Sequence, residues 1–207
     1  MAKLKAPLLS LGASGKLADS LVFMHWKGID DVREYVIPTN PKTDKQTDQR
    51  NNFRACVEAI HAAQALAVEP LGITDITAYA QWGLTEKTPR TWFNQIIMSW
   101  RNQYVLGLKA VVYRGAVVTE GNQQLVIAVS FSPYGADVIT GGKFWYGKTR
   151  TALINSVDAT IVAQHRATVT LTGLTNGQKY FIQFRPTAEA DYVGSNSGIY
   201  TGTPKAA

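Results

Sequence analysis

This sequence predicts an α+β protein in which a β-hairpin and about three helices precede an all-β sandwich. Two alternating apolar and polar runs, Ala167–Leu174 and Lys179–Phe184, flank a TNG turn, as paired half-buried strands do. Apolar residues three and four positions apart predict helices over 43–67 and 88–104. A third alternating run, Ser20–Gly28, predicts the hairpin.

Three segments follow from these patterns. Residues 1–14 are predicted to be an N-terminal arm, 15–107 a hairpin-plus-helices docking module, and 108–207 the β-sandwich. The arm is small, apolar and lightly basic, with no apolar stretch long enough for a signal peptide. Because an exposed terminus is seldom ordered alone, we expect a neighbouring subunit to hold the arm.

The hairpin is predicted from a strand in Ser20–Gly28, a GIDD turn at 28–31 and a second strand in Val32–Ile37. A two-stranded hairpin is only marginally stable by itself, so it is expected to lie on the following helix or on another chain. One face would carry Val22, Met24 and Trp26, and the other Phe23 and His25.

The first helix is predicted to begin after Thr43, which with Gln46 fits a capping box, and to end before Pro70 and Gly72. Asp44 would lie at the positive end of its dipole. The predicted apolar stripe is Phe53, Val57, Ile60 and Gln64, with Cys56, Ala63 and Ala67 beside it.

Two more helices are predicted, a short one over 75–84 and a third with Thr88 as cap and Pro89 in its first position. The aromatic stripe of the third helix is interpreted as core, part of it in an intersubunit contact; a cofactor-binding or base-stacking surface is the alternative. That stripe consists of Trp92, Ile96, Trp100 and Tyr104.

Leu171, Leu174, Gly177 and Tyr180 recur at every third position, which suits a strand end, a corner and a new strand. The Tyr180 ring would be buried between two sheets while its hydroxyl bonds the backbone upstream, as in a tyrosine corner. The alternative is an ordinary hairpin in which Tyr180 merely packs.

This LxxLxxGxxY spacing resembles the corresponding corner of fibronectin type III domains, an immunoglobulin-like sandwich family. The tail AEADYVGSNSGIYTGTP also resembles that family's last loop and strand, so the resemblance covers Leu108–Pro204. It implies a spacer and binding scaffold without chemistry. The family usually carries a Trp on its second strand, whereas Leu125–Ser132 has none, so Phe131 or Trp145 is expected to fill the core.

A second resemblance lies in the N-terminal block, whose GK, LVF, WKG, VREYV and NPKT segments resemble uncharacterised proteins of phages, prophages and some bacterial genomes. It implies a virion or secreted structural context and no activity. The matching residues are Gly15, Lys16, Trp26, Lys27, Gly28, Val32, Arg33, Pro38, Asn40, Pro41, Gln46, Arg50 and Phe53.

The charge of the chain, formally +6, does not point to nucleic acid, because its 21 Lys and Arg residues form no dense block. No apolar run approaches the roughly 20 residues of a membrane-spanning helix. Cys56 is the only cysteine, so an intrachain disulfide is excluded. We interpret it as an inert apolar residue within a helix.

No residue pattern predicts catalysis, a cofactor or a metal, and the protein is predicted not to be an enzyme. A phosphate loop at Ser14–Gly15–Lys16 fails because Leu17 follows the lysine. Asp30 and Asp31 are interpreted as turn residues, and Asp44 and Asp48 as a solvated helix face. The histidines, His25, His61 and His165, lie far apart without ligand spacing.

The leading hypothesis is a bacteriophage virion component in the tail, neck or capsid-decorating layer, assembled in the host cytoplasm. Its partners would be copies of itself and other virion proteins. The alternative is a bacterial cell-surface or extracellular adhesion protein whose sandwich binds a host glycan or protein, with Trp145, Tyr146 and Tyr192 as candidate surface aromatics. A DNA-associated neck or packaging protein is the weaker alternative.

Overall fold

The computed structural model describes residues 15–17, 20–27, 29–37, 39–40, 42–108, 110–133, 139, 141–162, 165–187 and 195–206. The chain divides into two compact units, Met1–Asp44 and Lys45–Ala207. The predicted arm, residues 1–14, lies outside the described residues.

The first unit contains a three-stranded antiparallel sheet in the order β1 (Gly15–Leu17), β2 (Leu21–Trp26) and β3 (Ile29–Glu34). The predicted hairpin is present as β2 and β3, and β1 adds a strand that the sequence pattern did not indicate. The predicted GIDD turn is wrong, because Trp26 pairs with Ile29 across a two-residue turn in which Lys27 has φ of 51°. Asp30 and Asp31 therefore lie within β3.

Helix α1 (Asp44–Ala65) begins directly after Thr43, as predicted. Its buried face differs from the predicted stripe, because Phe53 is 52% exposed and Asn52 is buried instead. Because the Ala-rich sequence of α1 has only a weak apolar stripe, tertiary contacts determine which face of the helix is buried. The buried residues are Asn52, Cys56, Ile60 and Ala63.

Helices α2 (Ile73–Gly83) and α3 (Trp92–Val105) complete the helical part. The prediction that Thr88 caps α3 is wrong, since the Thr91 Oγ1 accepts the Asn94 N–H at 3.3 Å. The backbone N–H of Arg90 donates to the Gly83 carbonyl at 3.2 Å, which holds Pro89 in the connection before the helix. Ile96 and Trp100 of the predicted stripe are buried, Trp92 is half-buried, and Tyr104 is 44% exposed.

The rest of the second unit is two four-stranded antiparallel sheets, ordered β4-β5-β9-β8 and β11-β10-β6-β7. Their apolar faces share one buried core, in which the Tyr113 and Phe184 rings from opposite sheets lie 5.8 Å apart. The strands are β4 (Val111–Gly121), β5 (Gln124–Pro133), β6 (Gly142–Gly147), β7 (Asn155–Asp158), β8 (Thr160–Val162), β9 (Arg166–Leu171), β10 (Tyr180–Pro186) and β11 (Tyr200–Gly202).

The predicted corner is present at the start of β10. The Tyr180 ring is 6% exposed, and its Oη accepts the Thr175 backbone N–H at 3.1 Å. Phe131 is fully buried, as one of the two expected replacements for the missing Trp, whereas Trp145 is only half-buried. The sequence pattern therefore identified both the corner and one of the core residues.

Replacement of Tyr180 by Phe is expected to lower the free energy of unfolding by about 1–2 kcal/mol, because the Thr175 N–H loses its partner while the ring stays packed. Urea unfolding followed by Trp fluorescence measures the change. The matched control is Tyr104→Phe, at a residue that is 44% exposed, and it is expected to change stability by less than about 0.5 kcal/mol. Equal effects of the two variants would contradict a structural role for the Tyr180 hydroxyl.

The helices and the sandwich do not separate after Gly107, where the sequence predicted the boundary. Cys56 and Ile60 of α1 and Ile96 of α3 belong to the same buried cluster as Val112 of β4 and Phe131 of β5. Buried apolar side chains that fill one core hold their elements in one compact unit. The boundary between the two compact units therefore falls after Asp44 and not after Gly107.

Candidate interaction surfaces

A β-bulge in β4 connects the sandwich to the helices. The register of β4 against β5 shifts just after Arg114, and Gly115 there has φ of +59°, which glycine adopts without a Cβ penalty. The Gly115 N–H donates to the Pro70 carbonyl at 3.1 Å, and the Ala116 N–H donates to Asp75 Oδ1 at 3.3 Å. The bulge thus directs one backbone donor to the α1–α2 connection and a second to the first turn of α2.

Asp75 is the acceptor in the first turn of α2. It lies at the third position of α2, where its Oδ2 accepts the Gly72 N–H at 3.1 Å, and its Oδ1 accepts the Tyr200 hydroxyl at 3.1 Å. The side chain is 1% exposed, and burial raises the pKa of its carboxyl group above 3.8. One carboxylate therefore joins the start of α2 to β4 and β11.

Three buried tyrosines, Tyr79, Tyr113 and Tyr200, surround the same place. The Tyr113 backbone N–H donates to the Tyr79 Oη at 3.0 Å, and burial raises the pKa of all three phenols. The Ile199 N–H donates to the Ala78 carbonyl at 2.9 Å, so α2 also bonds to the segment entering β11. We call Asp75, Tyr79, Gly115 and Tyr200 the helix–sandwich joint.

Glu69, within the α1–α2 connection, bonds to the β4-β5-β9-β8 sheet. Its carboxylate forms an ion pair with Arg166 and accepts the Ser130 hydroxyl, while the Arg114 Nη1 donates to its carbonyl oxygen at 2.6 Å. The residue itself has φ of 51°, an uncommon conformation for a side-chain-bearing residue. Together with the joint, these contacts hold the helices in a defined place on the sandwich.

A cleft of about 360 Å³ opens between α1 and the end of α3. Trp100 lies in its wall, and its Nε1–H donates to Asn52 Oδ1 at 3.0 Å. Tyr104 extends the apolar wall, while Asp48 and Asn51 supply polar groups. The cleft combines an apolar wall with carbonyl and carboxylate acceptors, which suits an inserted side chain from a partner.

Exposed apolar residues continue from this cleft at the end of α3. Val105 is 65% exposed and Leu106 is 67% exposed, directly after Tyr104. Apolar side chains that are consecutive and solvent-exposed beside a cleft are typical of protein contact surfaces. We call Tyr104, Val105 and Leu106 the α3 patch.

Of the candidate surface aromatics, the two that the structure describes, Trp145 and Tyr146, lie on opposite faces of β6. Trp145 faces outward from β6, with the Arg185 Cζ 5.1 Å from its ring centroid. Tyr146, on the other face of the strand, lies 6.4 Å from the Tyr180 ring. Tyr192 lies outside the described residues. The outward face of β6 and β10 is therefore where an aromatic and a cation meet.

The three histidines have separate surroundings among the described residues, and one of them meets an acidic side chain. His25 Nδ1 and Asp30 Oδ1 lie 2.7 Å apart across the first sheet, and His61 is exposed on α1. His165 takes part in the backbone pairing before β9 through its N–H and carbonyl groups. The described ranges hold no group of three or more His, Cys, Asp or Glu residues that could bind a metal ion.

Cys56 is 1% exposed in α1, and burial raises the pKa of its thiol to about 12. A thiol with so high a pKa stays protonated and unreactive at neutral pH, in agreement with the sequence interpretation. Of the predicted acidic pair on α1, Asp44 and Asp48 are both exposed, and Asp48 lines the cleft.

Sequence reasoning missed Asp75 and Glu69. The local signal for Asp75 was its position three residues after Gly72, where a carboxylate can accept the N–H that begins a helix. Its bonds to Ala116 and Tyr200, 41 and 125 residues away, carry no local signal. Glu69 likewise accepts a hydrogen bond from Ser130, 61 residues away, and no local sequence signal indicates this contact.

None of the described helices combines the length and hydropathy that a bilayer span requires. Neither the family models nor the curated proteins compared with this chain match it. The geometry of its surfaces is therefore the ground on which a function can be assigned.

Proposed function

We propose that this protein is a structural component of a bacteriophage virion, in the tail, neck or capsid-decorating layer, and that it acts by assembly. The observation that carries the proposal is the α3 patch, where Val105 and Leu106 are about two-thirds exposed beside an open apolar cleft. A second copy or another virion protein that covers the patch would remove this apolar surface from water.

The first sheet supports the same role. It contains three short strands, and among the side chains whose burial the structure describes, Phe23 is its one buried hydrophobic residue. A sheet with so small a core gains stability when a partner covers it or adds a strand at an edge. Val36 and Ile37, which follow β3, are 67% and 74% exposed and offer further apolar area.

The resemblance of the N-terminal block to phage proteins supports the virion context, and the strand order supports a narrower proposal for the sandwich. We propose that it is a fibronectin type III-like spacer. The pairing of β4-β5-β9 in one sheet and of β11-β10-β6-β7 in the other, with the Tyr180 corner, favours this assignment.

The double variant Val105→Asp/Leu106→Asp tests assembly directly. We expect the wild-type chain to form oligomers at micromolar concentration in sedimentation analysis, and the double variant to shift by at least tenfold toward monomer, because carboxylates cannot be desolvated in an apolar contact. The control is Ile154→Asp, which changes a residue that is 77% exposed in the β6–β7 connection. A wild-type chain that stays monomeric and is missing from purified phage particles by quantitative mass spectrometry contradicts the proposal.

A second candidate function is adhesion at a bacterial surface or outside the cell. The observation that favours it is the outward pair of Trp145 and Arg185 on the sandwich, a combination found in recognition surfaces. Finding the chain on intact cells rather than in particles by immunolabelling would support adhesion over the virion role.

A further inference from the structure

A second cleft, of about 220 Å³, lies on the outer face of the β11-β10-β6-β7 sheet. Gln183 and Arg185 of β10 form part of its lining. Trp82 of α2 and Thr85 after it form one side, and Arg150 of the β6–β7 connection lies on another. The cleft is therefore assembled from the sandwich and from the helix that the joint holds in place.

Arg185 is held in a defined orientation. Its Nε–H donates to Gln183 Oε1 at 3.1 Å, and Gln183 in turn donates to the Ser197 carbonyl at 2.9 Å. Its guanidinium also stacks over Trp145. These contacts occupy Nε and one face of the group, and its two terminal nitrogens donate to none of the described residues. A guanidinium fixed in this way can present a pair of N–H groups to an oxyanion.

Arg150 supplies a second cation to the same cleft. It is exposed, and its Nη1 donates to Gln81 Oε1 at 3.2 Å, a neutral partner. Across the described part of the chain, neither Arg150 nor Arg185 has a carboxylate within ion-pair distance, although other surface cations, such as Lys143 with Asp158, do. Two guanidinium groups beside one cavity favour an anionic ligand.

The uncharged lining residues, Trp82 and Thr85, indicate which kind of anion would fit the cleft. Trp82 is half-buried and stacks on Tyr79 with 6.5 Å between ring centroids, so its indole is held in the wall. The Thr85 hydroxyl donates to the Trp82 carbonyl at 2.7 Å, which leaves its oxygen as an acceptor. An aromatic wall with hydroxyl and amide groups matches a ring that has an apolar face and a hydroxyl rim.

We propose that this cleft binds an acidic saccharide, with the carboxylate between Arg150 and Arg185 and the sugar ring against Trp82. Pockets for drug-sized molecules measure roughly 300–1,000 Å³, so the smaller cleft suits one terminal sugar residue. The site goes beyond the assembly role and does not depend on it. It supplies a ligand for the adhesion role, and its failure in a binding assay leaves the assembly role unaffected.

The test is a titration of the full-length chain, observed by two-dimensional NMR, with glucuronate, N-acetylneuraminate, glucose and inorganic phosphate. We expect the two acidic sugars to bind with millimolar affinity and to shift the Trp82 indole resonance, and we expect glucose to bind at least tenfold more weakly. No binding of either acidic sugar at 50 mM, about an order of magnitude above the weakest Kd expected, overturns the proposal. Phosphate binding as strongly as the acidic sugars identifies a general oxyanion site and overturns the saccharide assignment.

Three variants locate the site. Arg150→Gln, at an exposed position, is expected to weaken acidic-sugar binding about tenfold, since one charge-assisted hydrogen bond is lost. Arg185→Lys keeps the positive charge but loses the planar pair of guanidinium N–H donors, so it is expected to weaken acidic-sugar binding by a similar factor. Lys148→Gln removes one positive charge from the same β6–β7 connection, but Lys148 lines a different pocket. The affinity of this variant for the acidic sugars should therefore stay within twofold of wild type. Equal weakening in all three variants would indicate nonspecific attraction and overturn the site.

Discussion

Replacement of Asp75 by Ala is expected to lower the free energy of unfolding by about 3–4 kcal/mol. The buried carboxylate accepts hydrogen bonds from the N–H groups of Gly72 and Ala116, which are half-buried, and from the buried Tyr200 hydroxyl. The alanine leaves three donors without partners, and each buried donor without a partner costs about 1–3 kcal/mol. Removal of a buried negative charge offsets part of this loss.

Urea unfolding monitored by Trp fluorescence measures the Asp75→Ala effect as a shift in midpoint. The control is Asp158→Ala, because the Asp158 side chain is 84% exposed and pairs with Lys143 across the sheet surface. We expect that control to change stability by less than about 0.5 kcal/mol. A loss below 1 kcal/mol for Asp75→Ala would show that the carboxylate does not hold the joint together.

Asp75 also makes a defined contribution to the pH dependence of stability. Its folded-state pKa is raised above the ordinary 3.8, so folding favours the protonated carboxyl group. The stability that this group contributes is therefore greatest below pH 3.8 and declines as the pH rises through the folded-state pKa. Relative to Asp75→Asn, the wild-type chain should become more stable as the pH is lowered from 8 toward 4. Parallel pH profiles of the two proteins would contradict the raised pKa.

Replacement of Gly115 by Ala is expected to lower the free energy of unfolding by about 3–5 kcal/mol. An added Cβ would lie 2.3 Å from the Glu69 Cβ and 2.9 Å from its Cα, closer than such atoms approach. The positive φ of Gly115 adds its own conformational cost of about 1–2 kcal/mol. Relief of the clash would require the α1–α2 connection to move and the Glu69–Arg166 ion pair with it.

Gly173→Ala is the matched control for Gly115→Ala, because Gly173 also has a positive φ, +72°, but nothing lies within 4 Å of an added Cβ. Its loss should reflect the backbone conformation alone, about 1–2 kcal/mol. The difference between the two variants, measured by urea unfolding, isolates the close approach of β4 to the helical connection. Equal losses would mean that this approach contributes nothing to the stability of the unit.

Local sequence patterns predicted the features that neighbouring residues control. The alternation on each side of the TNG turn placed the Tyr180 corner, and Thr43 marked the start of α1, because strand faces, turns and helix caps involve residues within a few positions of one another. The buried Phe131 followed from its place in an alternating strand. The outward Arg185 next to Trp145 has no such local signal.

Long-range packing settled what the local patterns left open. The Ala-rich sequence of α1 is compatible with burial of several of its faces. The buried face is the one that carries Asn52, which accepts a hydrogen bond from the Trp100 indole, 48 residues later. The boundary expected after Gly107 disappears because Asp75 and Glu69 bond to strands far along the chain. Hydrogen bonds and close contacts between residues far apart in sequence depend on which elements pack together in the fold. Short-range periodicity in the sequence does not predict that packing.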